Sequence, residues 1–295
     1  MGRKASIDSE FHEGSPGRPL VVLTHGMGMD LNIWSAPESV KVLAGTYSLS
    51  SLLDPKYRDM ITIFPALGEM GFNILLWSQS RPAGPLEIAG LELREVMEAH
   101  RSHAGNGVIL IGHSRGGLIA RRFMEEEPDI VRGLITMATP HHGTSLARWP
   151  AYISPLATAA RMMANISHGD ISRAVKKIAG FLQSEGLREL LPNSDLIRSL
   201  KTEKPAGIRC VSFGGTSPDL IRMGGLSLLE VFARVLPDIV VPDEIRPGLG
   251  DGLVSAASSV LPYTDRHADF QLNHVAMIFD AGARDAVLRE VEGMG

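Results

Sequence analysis

The chain has 295 residues, 44% of them hydrophobic and 21% charged, enough apolar mass for a buried core and too much for a disordered chain. Its 29 basic and 33 acidic residues give a formal net charge of −4, and no cationic block runs along it, which argues against a nucleic-acid partner. The single cysteine, Cys210, excludes an intrachain disulfide and a cysteine-rich zinc site.

Residues 1–19 are polar and read as an N-terminal tail, without the apolar stretch of a secretory signal. Met1-Gly2-Arg3-Lys4-Ala5-Ser6 fits only the loose myristoylation pattern. No apolar run reaches the roughly 18 residues of a membrane span. The expectation is a cytoplasmic protein, with a secreted mature form as the alternative. Residues 20–295 then alternate short apolar runs with amphipathic segments. Strands are predicted at 20–24, 72–77, 108–111, 133–137 and 208–213, with another near 269–272. Helices are predicted over 86–103, 118–126 and 283–291. In the first of these, Leu86, Ala89, Leu93, Val96 and Met97 follow the 3.6-residue period. Short strands that are apolar on both faces and separated by helices mean an α/β domain with a mainly parallel, doubly covered sheet. Residues 146–200 break this rhythm. Ile171, Val175, Ile178 and Leu182 suggest one helix behind an Asp170 cap, and Leu156, Ala160, Met163 and Ile166 another. This insertion reads as a helical cap or lid over a site, with an ordinary surface layer as the alternative. Its apolar residues, Met162 and Met163 among them, suggest an apolar pocket beneath it.

In sheets of this kind, sites gather at the carboxyl edge of the strands. Gly112-His113-Ser114-Arg115-Gly116 fits G-x-S-x-G between a predicted strand and a predicted helix, the setting of a nucleophile elbow. A serine hydroxyl needs a base, and the base needs an acid to orient it. Of ten histidines, His25 and His113 sit inside glycine turns, and His141 and His142 follow the fourth predicted strand. In this architecture the base comes last in the chain, which leaves His267 and His274. His274 is favoured because Val275-Ala276-Met277-Ile278-Phe279 can bury and fix it, whereas His267 lies in a charged stretch. Asp251, in Gly250-Asp251-Gly252, is the preferred acid over Asp243 and Asp219. The oxyanion hole is expected from two backbone N–H groups. Arg115, directly after the serine, supplies one, and Met27 in His25-Gly26-Met27-Gly28 supplies the other. Adjacent His141 and His142 point opposite ways from an extended segment, so no catalytic metal is expected.

At these residues the chain resembles the α/β-hydrolase superfamily, and more narrowly the bacterial lipases and lipase-like esterases. The resemblance rests on the two glycine motifs, on Ala138-Thr139-Pro140-His141-His142-Gly143-Thr144, and on Gly250-Asp251-Gly252-Leu253-Val254-Ser255 with Asn273-His274. Leu191-Pro192-Asn193-Ser194 is similar to a short cap element of those proteins. The resemblance implies hydrolysis of a small-molecule or lipid ester through an acyl-enzyme, without an organic cofactor and with transient contact at a lipid interface. Ala276 stands where many secreted members carry a calcium-binding aspartate, so their calcium site is not expected. An acyltransferase using the same triad, or a non-catalytic binding protein of the same fold, are the alternative readings.

Overall fold

The computed structural model describes residues 7–42, 47–49, 54–145, 184–219, 222–223, 226–227 and 241–295. One seven-stranded sheet forms the centre. Its strands are β1 (Ser9–His12), β2 (Leu20–Thr24), β3 (Asn73–Trp77), β4 (Val108–His113), β5 (Val131–Met137), β6 (Arg209–Gly215) and β7 (Arg266–Phe270). The spatial order is β1-β3-β2-β4-β5-β6-β7. All neighbours run parallel except β1, which pairs antiparallel with β3.

The period of two along each strand divides the core into two layers. Val21, Leu23, Ile109 and Ile111 face helix α3 (Ala281–Glu292), through Ala283, Val287 and Val291. Leu20, Val22 and Leu110 face α1 (Leu86–Ala99) and α2 (Arg115–Glu126), through Leu93, Val96, Leu118 and Phe123. With helices on both sides, every residue of β2 and β4 is buried, which explains their continuous apolar runs.

The departures from the sequence reading have local causes. The expected tail contributes β1, a short edge strand whose residues alternate between half-buried and exposed. Four such residues carry no hydrophobic run to notice. The strand expected at 269–272 is β7, three residues earlier; it pairs only with β6 and has a charged, half-exposed sequence. The helix expected to reach 103 stops at Ala99, and Arg101–His103 forms a separate 3₁₀ turn. Strand β4 extends to His113 and α2 begins at Arg115, so a single residue, Ser114, makes the whole turn between them.

Of the expected insertion, residues 146–183 lie outside the described residues, and with them both long helices predicted there. Its return carries two short helices, Glu185–Arg188 and Asp195–Ser199, capped by the hydroxyls of Ser184 and Ser194. The insertion is anchored where it leaves and rejoins the core. Thr144 N–H donates to Leu190 O (2.7 Å), and Gly186 N–H donates to Ala83 O (3.0 Å). The Glu244 carboxylate accepts from the Ser145 N–H (2.6 Å) and hydroxyl (2.9 Å).

Candidate active site

The residues singled out by sequence lie in loops that follow the strands at their carboxyl ends; Asp251 and His274 are in contact, and no hydrogen bond joins Ser114 to His274 among the described residues. Ser114 has φ 55° and ψ −131°, a conformation that costs a non-glycine residue free energy. Three glycines make the turn fit. A Cβ at Gly112 would strike the Gly117 backbone, one at Gly116 the Thr24 and His25 carbonyls, and one at Gly117 the Thr139 side chain. Ser114 N–H donates to Met137 O (2.8 Å), and Ser114 O accepts from Gly117 N–H (3.0 Å). From Val108 to Arg121 every residue is buried except Ser114, which is half-buried. The strained turn therefore lifts one hydroxyl-bearing residue out of an otherwise closed core.

Asp251 and His274 meet beyond the ends of β6 and β7. His274 Nδ1 lies 2.8 Å from Asp251 Oδ2, with both side chains almost fully buried. Asp251 Oδ1 accepts from the N–H groups of Leu253 (2.9 Å) and Val254 (2.7 Å), and the Asp251 carbonyl accepts from His274 N–H (2.9 Å). Gly252, at φ +97°, allows the chain to turn back for these bonds. A carboxylate can only accept, so His274 Nδ1 carries the proton, which in the neutral ring leaves the lone pair on Nε2. Asn273 Oδ1 accepts from the N–H groups of Val275 and Ala276, fixing the start of the short helix Ala276–Phe279 just after the imidazole.

His113 braces this arrangement from below. Its Nε2–H donates to the His274 carbonyl (2.9 Å), and the two rings lie 4.8 Å apart between centroids. Burial and the neighbouring His274 push His113 down to about 3, so it is neutral, and its Nδ1 has no partner among the described residues. Gly26 sits against the serine turn; a Cβ there would lie 3.1 Å from Ser114 Cβ and 3.2 Å from His113 Nδ1.

Met27 is half-buried in the turn after β2, and Arg115 opens helix α2. Neither N–H has a protein acceptor among the described residues, as the first turn of a helix dictates for Arg115. The Arg115 side chain, by contrast, is fully buried. It donates to Gln79 Oε1, to Gly84 O (2.6 Å) and to Pro82 O (3.4 Å), while its Nε has no partner among the described residues. Burial lowers its pKa to about 10. His25 accepts from Gln79 N–H at Nε2 (3.1 Å) and donates from Nδ1 to Gly26 O (2.8 Å). Burial lowers it to about 4 and keeps it neutral.

The rival residues are occupied elsewhere. His267 lies between Ser212 Oγ (2.8 Å) and Asp269 Oδ1 (3.0 Å), but Ser212 is fully buried. Asp243 is exposed and faces Arg246, and Asp219 offers its main-chain carbonyl to Asn273. His141 is locked between Thr136 Oγ1 (3.0 Å) and Arg121 Nη1 (3.3 Å), while His142 is exposed. Among the described residues no group of three or more His, Cys, Asp or Glu side chains is placed to hold a metal ion. Sequence reasoning missed Gln79 and the side-chain roles of His113 and Arg115. No spacing pattern marks them, because their partners come from other strands.

Comparison with known proteins gives a consistent picture. A family profile described as a domain of unknown function (DUF7379) matches residues 92–211. A pimeloyl-[acyl-carrier protein] methyl ester esterase of Sodalis glossinidius is 27% identical over 266 residues, covering 87% of this chain and 89% of that protein. Its counterpart in Photorhabdus laumondii is 24% identical over 239 residues, 79% of this chain and 75% of that one. Among solved structures, the mature Bacillus licheniformis lipase BlEst2 superposes with a TM-score of 0.55 at 18% identity, covering 96% of this chain and 98% of the lipase. A hydrolase from Oleispira antarctica, olei00960, gives 0.53 at 13% identity, with 97% and 95% covered. The chain has the α/β-hydrolase fold, and its curated relatives are esterases.

Proposed function

We propose that this α/β-hydrolase-fold protein is a serine hydrolase of carboxylic esters, with Ser114 as nucleophile, His274 as general base and Asp251 as its orienting acid. The observation that carries the reading is the buried 2.8 Å contact between His274 Nδ1 and Asp251 Oδ2, set at the sheet edge where Ser114 occupies its strained turn. The esterase relatives support the same chemistry.

In this mechanism Ser114 Oγ attacks the ester carbonyl carbon. Its proton passes to His274 Nε2, and the carbonyl π pair moves onto the oxygen. The Met27 and Arg115 N–H groups stabilise that oxyanion, and Asp251 stabilises the imidazolium. Collapse expels the alcohol, which takes the proton from His274 and leaves an acyl-serine. Water, deprotonated by His274, attacks the acyl-serine, and the acid departs as Ser114 recovers its proton. The base must be neutral to accept the first proton.

The test is hydrolysis of p-nitrophenyl esters from acetate to palmitate, with Ser114→Ala beside the wild type. Loss of a serine nucleophile costs roughly 10⁶-fold in kcat in comparable triads. A Ser114-dependent rate that peaks at long chains assigns a lipase, and a peak at short chains assigns a carboxylesterase. Ester formation in preference to acid when alcohols are supplied assigns an acyltransferase instead. Undiminished turnover by a folded Ser114→Ala protein refutes the reading.

A further inference from the structure

The two expected oxyanion donors sit on different loops. Met27 is in the turn after β2, and Arg115 is the first residue of α2. Something must hold those loops in register, because misplacement by about 1 Å is enough to cost about 100-fold in rate. The Arg115 side chain is placed to do so. It turns back from its own backbone toward the neighbouring loop and donates to Gln79 Oε1. Gln79 in turn grips the β2 turn twice, through its N–H to His25 Nε2 (3.1 Å) and through Nε2–H to the His25 carbonyl (3.0 Å). The Gln79 amide has one orientation only. A flipped amide would aim its NH₂ at the guanidinium and its oxygen at a carbonyl. A second route runs through Pro82, whose carbonyl accepts from both Arg115 (3.4 Å) and Gly28 N–H (3.3 Å). Every hydrogen-bond acceptor of the guanidinium among the described residues is a neutral oxygen. An apolar side chain would fill the same space without the desolvation cost of a buried charge.

We propose that Arg115 is a positioning residue for the oxyanion site: its backbone forms one wall, and its guanidinium, through Gln79 and Pro82, sets the place of the other wall at His25-Gly26-Met27-Gly28. The inference rests on the ester-hydrolase reading above. Its consequence is selective. The oxyanion contacts strengthen only as charge develops on the carbonyl oxygen, so loosening one wall lowers kcat and leaves KM nearly untouched.

The experiment compares wild type with Arg115→Met, Arg115→Lys, Gln79→Met and the Arg115→Met/Gln79→Met double variant. Each is measured for kcat and KM on the p-nitrophenyl ester that the wild type cleaves fastest. The affinity for a trifluoromethyl ketone of the same acyl chain, the rate of inactivation by a fluorophosphonate, and Tm are measured in parallel. The ketone binds by adding Ser114 Oγ to its carbonyl, with the serine proton going to His274, and so reports the oxyanion site at equilibrium. Arg115→Met is expected to lower kcat about 10- to 100-fold with KM within about threefold, and to weaken the ketone by the same factor as kcat/KM. Fluorophosphonate inactivation should slow in step. Arg115→Lys keeps the charge but cannot span Gln79 and Gly84 together, so it should share most of the loss. Gln79→Met should show a smaller version of the same signature, and the double variant should be little worse than Arg115→Met alone, because both act through one link. A lower Tm with unchanged kcat and ketone affinity overturns the proposal, as does a rise in KM alone, full rescue by lysine, or additive losses in the double variant. Should the Arg115 variants fail to fold, Gln79→Met decides alone, and unchanged ketone affinity there refutes the link. Full activity of Ser114→Ala would overturn the underlying reading instead, a result none of these outcomes mimics.

Discussion

Acidification from pH 7.5 to 5.0 should remove about 4 kcal/mol of folding stability through His25 and His113 alone, and the structure shows where it goes. His25, His113 and His141 are all buried, and each has one ring nitrogen that has to stay bare. In His25 that nitrogen accepts from Gln79 N–H, and in His141 it faces the Arg121 guanidinium. In His113 it lies in a closed space against Gly26. Burial holds His25 at about 4 and His113 at about 3; it also drives His141 well below its ordinary value, helped by Arg121. In the unfolded chain each ring takes a proton near pH 6.5. Below that point the unfolded state binds more protons than the native state, so stability falls as pH falls, by about 1.4 kcal/mol per pH unit for each ring. At pH 5.0, about 1.5 units lower, His25 and His113 each contribute about 2 kcal/mol of loss, and His141 adds to it in the same direction. The first two alone come close to the lower end of a typical domain's stability, about 5–15 kcal/mol. The Asp265 carboxyl, held down by the Cys210 N–H and Lys204, acts in the same sense, but its contribution is lost only below about pH 4 and leaves this window clear. Urea unfolding at a series of pH values, followed by tryptophan fluorescence, measures the slope directly, with buried Trp34 and Trp77 as probes. The expected proton uptake on unfolding from His25 and His113 approaches two near pH 5.5, with His141 adding to it, and His25→Asn should reduce it by about one. A flat profile between pH 7 and 5, or uptake below one proton, would show that these rings are not held neutral.

Further outcomes follow from the same geometry. Asp251→Asn should lower kcat by about 10⁴-fold with little change in the fold, because an amide at that place offers an N–H to His274 and favours the wrong tautomer; retention of more than about a tenth of the wild-type kcat would remove Asp251 from the mechanism. Gly112→Ala forces a Cβ onto the Gly117 backbone, where nothing flexible can give way. It should cost about 1–3 kcal/mol or more, read as a lowered Tm, and an unchanged Tm would mean that the turn is looser than described.

Much of the candidate site is legible in sequence because the features that propose it are local. The serine turn needs a strand, small residues around one hydroxyl, and a helix, all within about a dozen positions. Asp251 was readable for a similar reason, since Gly252 at φ +97° announces a tight reversal around a short carboxylate. His274 was harder. It was chosen over His267 because the apolar residues after it promised burial, and in the structure it is 2% exposed and 2.8 Å from Asp251. His267, on the edge strand β7, instead pairs with Asp269 and with the fully buried Ser212 of β6.

By itself, the sequence determined the parallel, doubly covered sheet and the order of the site residues along it, because hydrophobic period and glycine placement act over a few neighbouring positions. Only the tertiary structure decided which polar groups support that site. Arg115 reaches Gln79 across 36 positions, Gln79 reaches His25 across 54, and His113 reaches the His274 carbonyl across 161. Strands far apart in the chain become neighbours in the sheet, and the loops at their carboxyl ends then share one small, largely dry volume. There a buried donor must find whichever acceptor the topology delivers, and no local pattern records which one that will be.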